Sequence, residues 1–200
     1  MKPRKKEPTE VRRQQITEAA LRIIGTKGIS GATTAEIASA SGISEGNLYR
    51  HFKGKEEILG SVIDKIGNDL ASILDAAADI AEPLRRLEEI FKRHLSYIEE
   101  HVGIPRTIFT EEVLVLNETL REKVRGNLMH YFRGISAVIE QGQEAGALNR
   151  EMDPNALATM FIGTVNFTAL RWVMNKFSSK LSDEGERLWE TFVKSLVCKV

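Results

Sequence analysis

Apolar residues recur along nearly the whole chain at intervals of three and four, with no sustained alternation, so the pattern predicts helices and no strands. Ile16, Ala20, Ile23 and Ile24 mark one face of a first helix over residues 10–27. Gly28 should end it, because glycine readily takes the left-handed conformation of a helix C-cap. A short second helix opens at Thr33, with Glu36 three residues on to complete a Thr-x-x-Glu capping box and Ile37 and Ala38 turned inward. Gly42 then suits a turn with positive φ, Ile43 plugs the corner, and Ser44 caps a third helix. Helical stripes follow over residues 55–78, 83–101, 105–116 and 118–145, the last repeating Leu120, Val124, Leu128, Phe132, Ile135 and Ile139 before Gly146. Asp153 with Pro154, and Ser182 with Asp183, start an eighth and a ninth helix. The expectation is an all-α chain of about nine helices.

Two hundred residues, 42% hydrophobic, suffice for one good core or for a small domain beside a larger one. The net charge of zero conceals a division: residues 1–55 hold eleven Lys and Arg against five Asp and Glu, and the remainder is acidic to the same extent. A positive field confined to one end points to a polyanionic partner there. The opening MKPRKKEPTE, polar and with two prolines, reads as a flexible basic arm over residues 1–9. The single cysteine, Cys198, excludes an internal disulfide and any cysteine-built metal site. No uninterrupted apolar run approaches the roughly 20 residues of a bilayer span, and no apolar block follows the basic start, so a cytoplasmic chain without a membrane partner is expected.

Two short helices joined by a glycine-containing turn form a helix-turn-helix pattern, whose second helix enters the major groove of DNA with its N-terminal residues toward base edges. In SEGNLYRHF, residues 44–52, Leu48 and Phe52 are spaced to anchor the helix in a small core. Asn47 can pair with adenine and Glu45 can accept a hydrogen bond from cytosine, while Gly46 lets the backbone come close. Tyr49, Arg50, His51 and Lys55 are suited to phosphates.

The segment from Arg12 to Ile63 resembles the DNA-binding domain of the TetR family of transcriptional repressors, through Thr33-Thr34-Ala35-Glu36-Ile37-Ala38, Gly42-Ile43-Ser44, Leu48-Tyr49-Arg50-His51-Phe52 and Lys55-Glu56. The resemblance covers about a quarter of the chain. It implies that Thr33, Thr34, Ser44, Tyr49, His51 and Lys55 hold the DNA backbone while Glu45, Gly46 and Asn47 face bases. Ala35 departs from relatives with a long polar residue there, and Glu45 from those with lysine.

The resemblance also implies a helix-turn-helix domain over residues 10–54 and an effector-binding and dimerisation domain over 55–200, with release from a palindromic operator by a small molecule; the absence of a dominant charge on the candidate pocket faces favours a hydrophobic one. Dimerisation falls to the eighth and ninth helices. The eighth carries small Gly163, Thr164 and Ala169 among Met160, Phe161, Phe167, Leu170 and Trp172; the ninth carries the stripe Leu188, Trp189, Phe192, Val193 and Leu196. Pocket candidates by position are Ile66, Leu70, Phe91, Phe109, Val113, Met129, Phe132, Phe161 and Phe167, with His94 and Asn166 as polar groups on apolar faces. An enzyme is not expected: no activated nucleophile or phosphate loop is visible, and His94 and His101, about 10 Å apart along a helix, cannot both ligate one metal ion. No cofactor is implied. The competing reading keeps the DNA-binding dimer but assigns the larger domain to a protein partner or to constitutive regulation, with no small effector.

Overall fold

The computed structural model describes residues 8–196; most of the expected basic arm, and Cys198, lie outside them. The described residues form ten helices: α1 (Thr9–Gly31), α2 (Thr34–Ala40), α3 (Glu45–Leu48), α4 (Lys55–Ala76), α5 (Pro83–Glu100), α6 (Gly103–Ile108), α7 (Glu111–Leu114), α8 (Glu118–Glu144), α9 (Pro154–Met174) and α10 (Leu181–Leu196). Among the described residues there is no strand. The chain forms two compact units: one holds the described residues through Ile66 with His101–Lys123, the other Gly67–Glu100 and the chain from Val124 onward. Helices α4 and α8 therefore each contribute residues to both.

In the first unit, Ile16, Ala19, Ala20 and Ile24 of α1 close a core with Ile37, Leu48, Phe52, Ile58 and Val62, all essentially inaccessible to solvent. Gly28 has φ 73°, so helical geometry breaks where the sequence predicts; one more turn then extends the element to Gly31. Helix α6 crosses α1 at two glycines. A Cβ on Gly103 would lie 2.2 Å from the Leu21 carbonyl oxygen, and one on Gly25 would lie 2.7 Å from Val102 Cγ2. Arg106 Nη1 fixes the crossing by donating to the Gly25 carbonyl at 2.7 Å. The single helix expected over 105–116 is two, because Thr110 takes extended backbone (φ −107°, ψ 149°) and its hydroxyl turns back to the Thr107 carbonyl at 3.2 Å. Such local side-chain bonding competes with helix continuation.

The second unit packs α10 against α5 and α9. Gly185 makes this approach possible, since a Cβ there would sit 2.3 Å from Leu95 Cδ1. Phe91 and Phe161 meet edge to face at 5.4 Å, and the cluster continues to Trp189 (5.5 Å from Phe91) and Phe192 (5.9 Å from Phe161). Each such buried ring contributes about 1.5–3 kcal/mol relative to exposure. Trp189, Phe192 and Leu196 are thus core of their own unit, which corrects their expected place on an outer seam. Leu128, expected inward on its stripe, is exposed, while Tyr131 and Val138 of the same helix are buried.

Helix α9 is apolar on two sides. Leu157, Ala158, Phe161, Ile162, Val165, Ala169 and Trp172 face inward. Outward, Ala156, Met160, Gly163, Phe167, Leu170 and Met174 are exposed, spaced alternately by four and three residues, the a/d repeat of a helical seam. Because both faces are apolar, α9 is by length and composition the one described helix able to cross a membrane, at mean hydropathy 1.2; the buried inward face identifies it as a packed helix of this unit.

Candidate nucleic-acid interface

Thr33 caps α2 by accepting from the Glu36 amide at 3.2 Å. The reciprocal half of the expected capping box does not form: the Glu36 carboxylate instead receives Lys27 Nζ at 2.6 and 2.7 Å, and the Thr33 amide donates to the Gly31 carbonyl at 3.0 Å. Gly42 has φ 68°, as the turn requires. Ser44 caps α3, its hydroxyl accepting from the Asn47 amide at 3.2 Å. Four residues are α-helical, and the chain continues through a tighter turn in which the Arg50 amide donates to Asn47 and the His51 amide to Leu48.

Leu48 and Phe52 are buried and hold this element down. The opposite side presents Ser44, Glu45, Gly46, Tyr49 and Arg50 to solvent, with Asn47, His51 and Lys55 partly covered at its flanks. A Cβ on Gly46 would have no atom within 4 Å. No internal packing demands this glycine, so the space it leaves faces outward. Thr34 Oγ1 donates to Glu45 Oε1 at 2.6 Å and lies 3.3 Å from the Tyr49 hydroxyl, linking the first turns of α2 and α3.

Arg13, which sequence reasoning did not single out, ties the element to its neighbours. Its guanidinium donates to the His51 carbonyl and, at 3.0 Å, to Glu57 Oε1, and lies 4.0 Å from the Phe52 ring centroid. Glu57 in turn accepts the Lys53 amide at 2.7 Å; that bond, and then Arg13, holds its carboxyl below the usual range against the opposing effect of burial. The signal in sequence was weak, because Arg13 and Glu57 lie far apart along the chain. His51 Nδ1 is buried without a hydrogen-bond partner. Burial first, then the charges of Arg12, Arg50 and Arg13, keep the imidazole below the ordinary histidine range. Two further contacts join α4 to the start of α8: Asn117 Nδ2 donates to Glu56 at 2.7 Å, and Lys123 Nζ meets Asp64 at 2.6 Å.

The pocket candidates are divided between the two units. Ile66, Phe109 and Val113 belong to the first unit, and Leu70, Phe91, His94, Met129, Phe132, Phe161, Asn166 and Phe167 to the second. Phe91 and Phe161 are filled core. Phe109 and Phe167 are 44% and 62% exposed, so neither lines an enclosed cavity of its own unit. Leu70, Met129, Phe132 and Asn166 are half-buried. His94 is buried with Nδ1 3.1 Å from the hydroxyl of Tyr131, a partner the sequence did not reveal because helical phase had favoured Leu128 and Phe132. Burial lowers His94 to about 3 and raises Tyr131. Among the described residues no cluster of three or more His, Cys, Asp or Glu could hold a metal ion.

Comparison with known proteins places this geometry. Residues 16–62 match the family model of bacterial regulatory proteins of the tetR family, and residues 56–195 match that of the YsiA-like protein C-terminal region. The fatty acid metabolism regulator protein of Bacillus subtilis is 27% identical over 163 residues, 80% of this chain and 83% of that protein. The structure of the transcriptional regulator FadR from Bacillus subtilis in complex with stearoyl-CoA matches at TM-score 0.79 and 25% identity, over 91% of this chain and 98% of that one. That of AibR in complex with isovaleryl coenzyme A and operator DNA matches at TM-score 0.70 and 25% identity, over 90% of this chain and 97% of that one. With both units matched, and with a capped, outward-facing second helix in its turn-linked pair, the chain belongs to the TetR family of bacterial transcriptional regulators.

Proposed function

We propose that this regulator is a homodimeric repressor whose hold on a palindromic operator is released by an acyl-coenzyme A thioester. One observation carries the choice of effector: two solved relatives that each cover at least nine-tenths of this chain hold coenzyme A thioesters, one with a long and one with a short acyl group. The functional division is residues 10–54 for DNA and 55–200 for effector and dimer, and the site of action is the cytoplasmic DNA. Catalysis has no part in this reading.

The outward a/d face of α9 supports the dimer. Its central Gly163, with no atom near an added Cβ, allows close approach of a second copy. One helix-turn-helix covers a half-site, and two about 34 Å apart span successive turns of the groove. Among the pocket candidates of the second unit, the half-buried Leu70, Met129, Phe132 and Asn166 are available to an acyl chain or its polar end. Helix α4 supports transmission, because Lys55 begins it and its second half belongs to the other unit. A thioester that binds the DNA-incompetent arrangement more tightly shifts the equilibrium by its differential affinity, about 1–3 kcal/mol in typical allosteric proteins.

The test is operator release and thermal stabilisation by stearoyl- and isovaleryl-coenzyme A, with coenzyme A and free stearate as controls. At least one thioester should raise the melting temperature increasingly as its concentration exceeds its dissociation constant, and should dissociate the operator complex. If neither thioester does, while the operator is still bound, the reading without a small effector takes its place.

A further inference from the structure

The contact between Thr34 and Glu45 places an acidic group at the front of a surface that must meet a polyanion. A carboxylate there is unfavourable near phosphates, so its retention in a fixed position calls for a partner that donates hydrogen bonds. Two side chains fix it, Thr34 directly and Tyr49 through Thr34. The Glu45 carboxylate only accepts, so the 2.6 Å contact spends the Thr34 hydroxyl proton on it. Thr34 Oγ1 can then only accept from Tyr49, 3.3 Å away, which orders the chain as Tyr49 to Thr34 to Glu45. Thr34 belongs to α2 and Glu45 to α3, so the carboxylate is held by tertiary structure and not by its own backbone.

We infer that Glu45, held by Thr34 and Tyr49, is a cytosine-reading residue that sets operator specificity at one position of each half-site. Thr34 occupies Oε1 and leaves Oε2 free to accept. In the major groove, cytosine presents the N4 amino donor without an adjacent acceptor. Adenine places its N7 acceptor beside its amino group, and guanine and thymine offer acceptors that repel a carboxylate. Glu45 stands at the first position of α3, the end of the second helix that reaches base edges in this motif. Gly46 beside it adds no side chain to hold the backbone off. In this arrangement Thr34 and Tyr49 act on base choice as positioning residues for the carboxylate. The inference rests on the DNA-binding reading above.

Selection of bound sequences from a random duplex pool, with the full chain and with Glu45→Gln, Thr34→Val and Thr34→Ser, tests it. The native protein should select cytosine at one position of each arm of an inverted repeat, by roughly 5- to 100-fold over other bases. Glu45→Gln should move that position toward adenine, which glutamine pairs bidentately. Thr34→Val should flatten the cytosine preference at that position, and Thr34→Ser, which restores the hydroxyl, should recover it. An inverted repeat whose profile is the same with Glu45→Gln as with the native chain overturns the inference while leaving the DNA-binding reading intact. Failure of the native protein to select any duplex would instead remove the DNA-binding reading.

Discussion

The guanidinium of Arg13 lies 4.0 Å from the ring centroid of Phe52 and bridges at the same time to Glu57. One side chain of α1 therefore fixes the end of the turn that follows α3 and the first turn of α4. Arg13→Ala should lower stability by about 1–2 kcal/mol, from loss of the ring contact and of the bonds to His51 and Glu57. Arg13→Lys should recover only part of this, because an ammonium cannot reproduce a planar fork stacked on a ring. Urea unfolding midpoints measure both; equal midpoints for the native chain and the alanine variant would show that the bridge contributes nothing.

Gly46→Ala separates stability from function. The site is helical, and a Cβ there meets nothing in the free protein. Alanine should therefore stabilise the fold, by up to about 1 kcal/mol from helix propensity. DNA affinity should fall in the same variant, since the space faces the proposed partner. Thermal melts and fluorescence anisotropy with an operator duplex, run together, should move in opposite directions; a variant that gains stability and binds as well as the native chain would mean that no close approach occurs at this residue.

Stability should decline as the pH falls below about 6.5. His94 is held at about 3 by burial, so between these values the unfolded chain binds a proton that the folded chain refuses. Its contribution is fully present above the unfolded value and is lost as acid is added, at a slope approaching about 1.4 kcal/mol per pH unit. His51, lowered by burial and three arginines, acts in the same direction. Between pH 7 and pH 5, His94→Phe should make the unfolding free energy markedly less dependent on pH. A slope equal to that of the native chain would place the coupling elsewhere.

The outward face of α9 predicts association. Phe167→Glu should yield a monomer in sedimentation equilibrium, because the 62% exposed ring has no packing role in the single chain. Gly163→Glu, where an added Cβ meets no atom, should do the same while helical content is preserved. Both variants should lose operator affinity, since one half-site contact remains. Dimers that persist in both would exclude this seam.

Most of the helices, the caps at Thr33, Ser44 and Asp153 and the glycine turns at Gly28, Gly42 and Gly146 were legible in the sequence, because each depends on a few neighbouring residues; the break at Thr110 that splits the expected 105–116 helix was not. The exposed side of α3 was legible for the same reason: Leu48 and Phe52 turn inward, and Glu45, Gly46 and Tyr49 on the opposite side follow by helical phase. Tertiary structure alone decided which apolar stripes become core. Trp189 and Phe192 join Phe91 and Phe161 inside, whereas the Phe167 side of α9, equally apolar in sequence, is left outside. Periodicity gives a stripe its angular width but not its partner. Tertiary structure also paired Arg13 with Glu57, His94 with Tyr131 and Thr34 with Glu45, because contacts between distant segments depend on how helices cross, and close crossings such as that of Gly103 on Leu21 are set by the whole packing and not by any local signal.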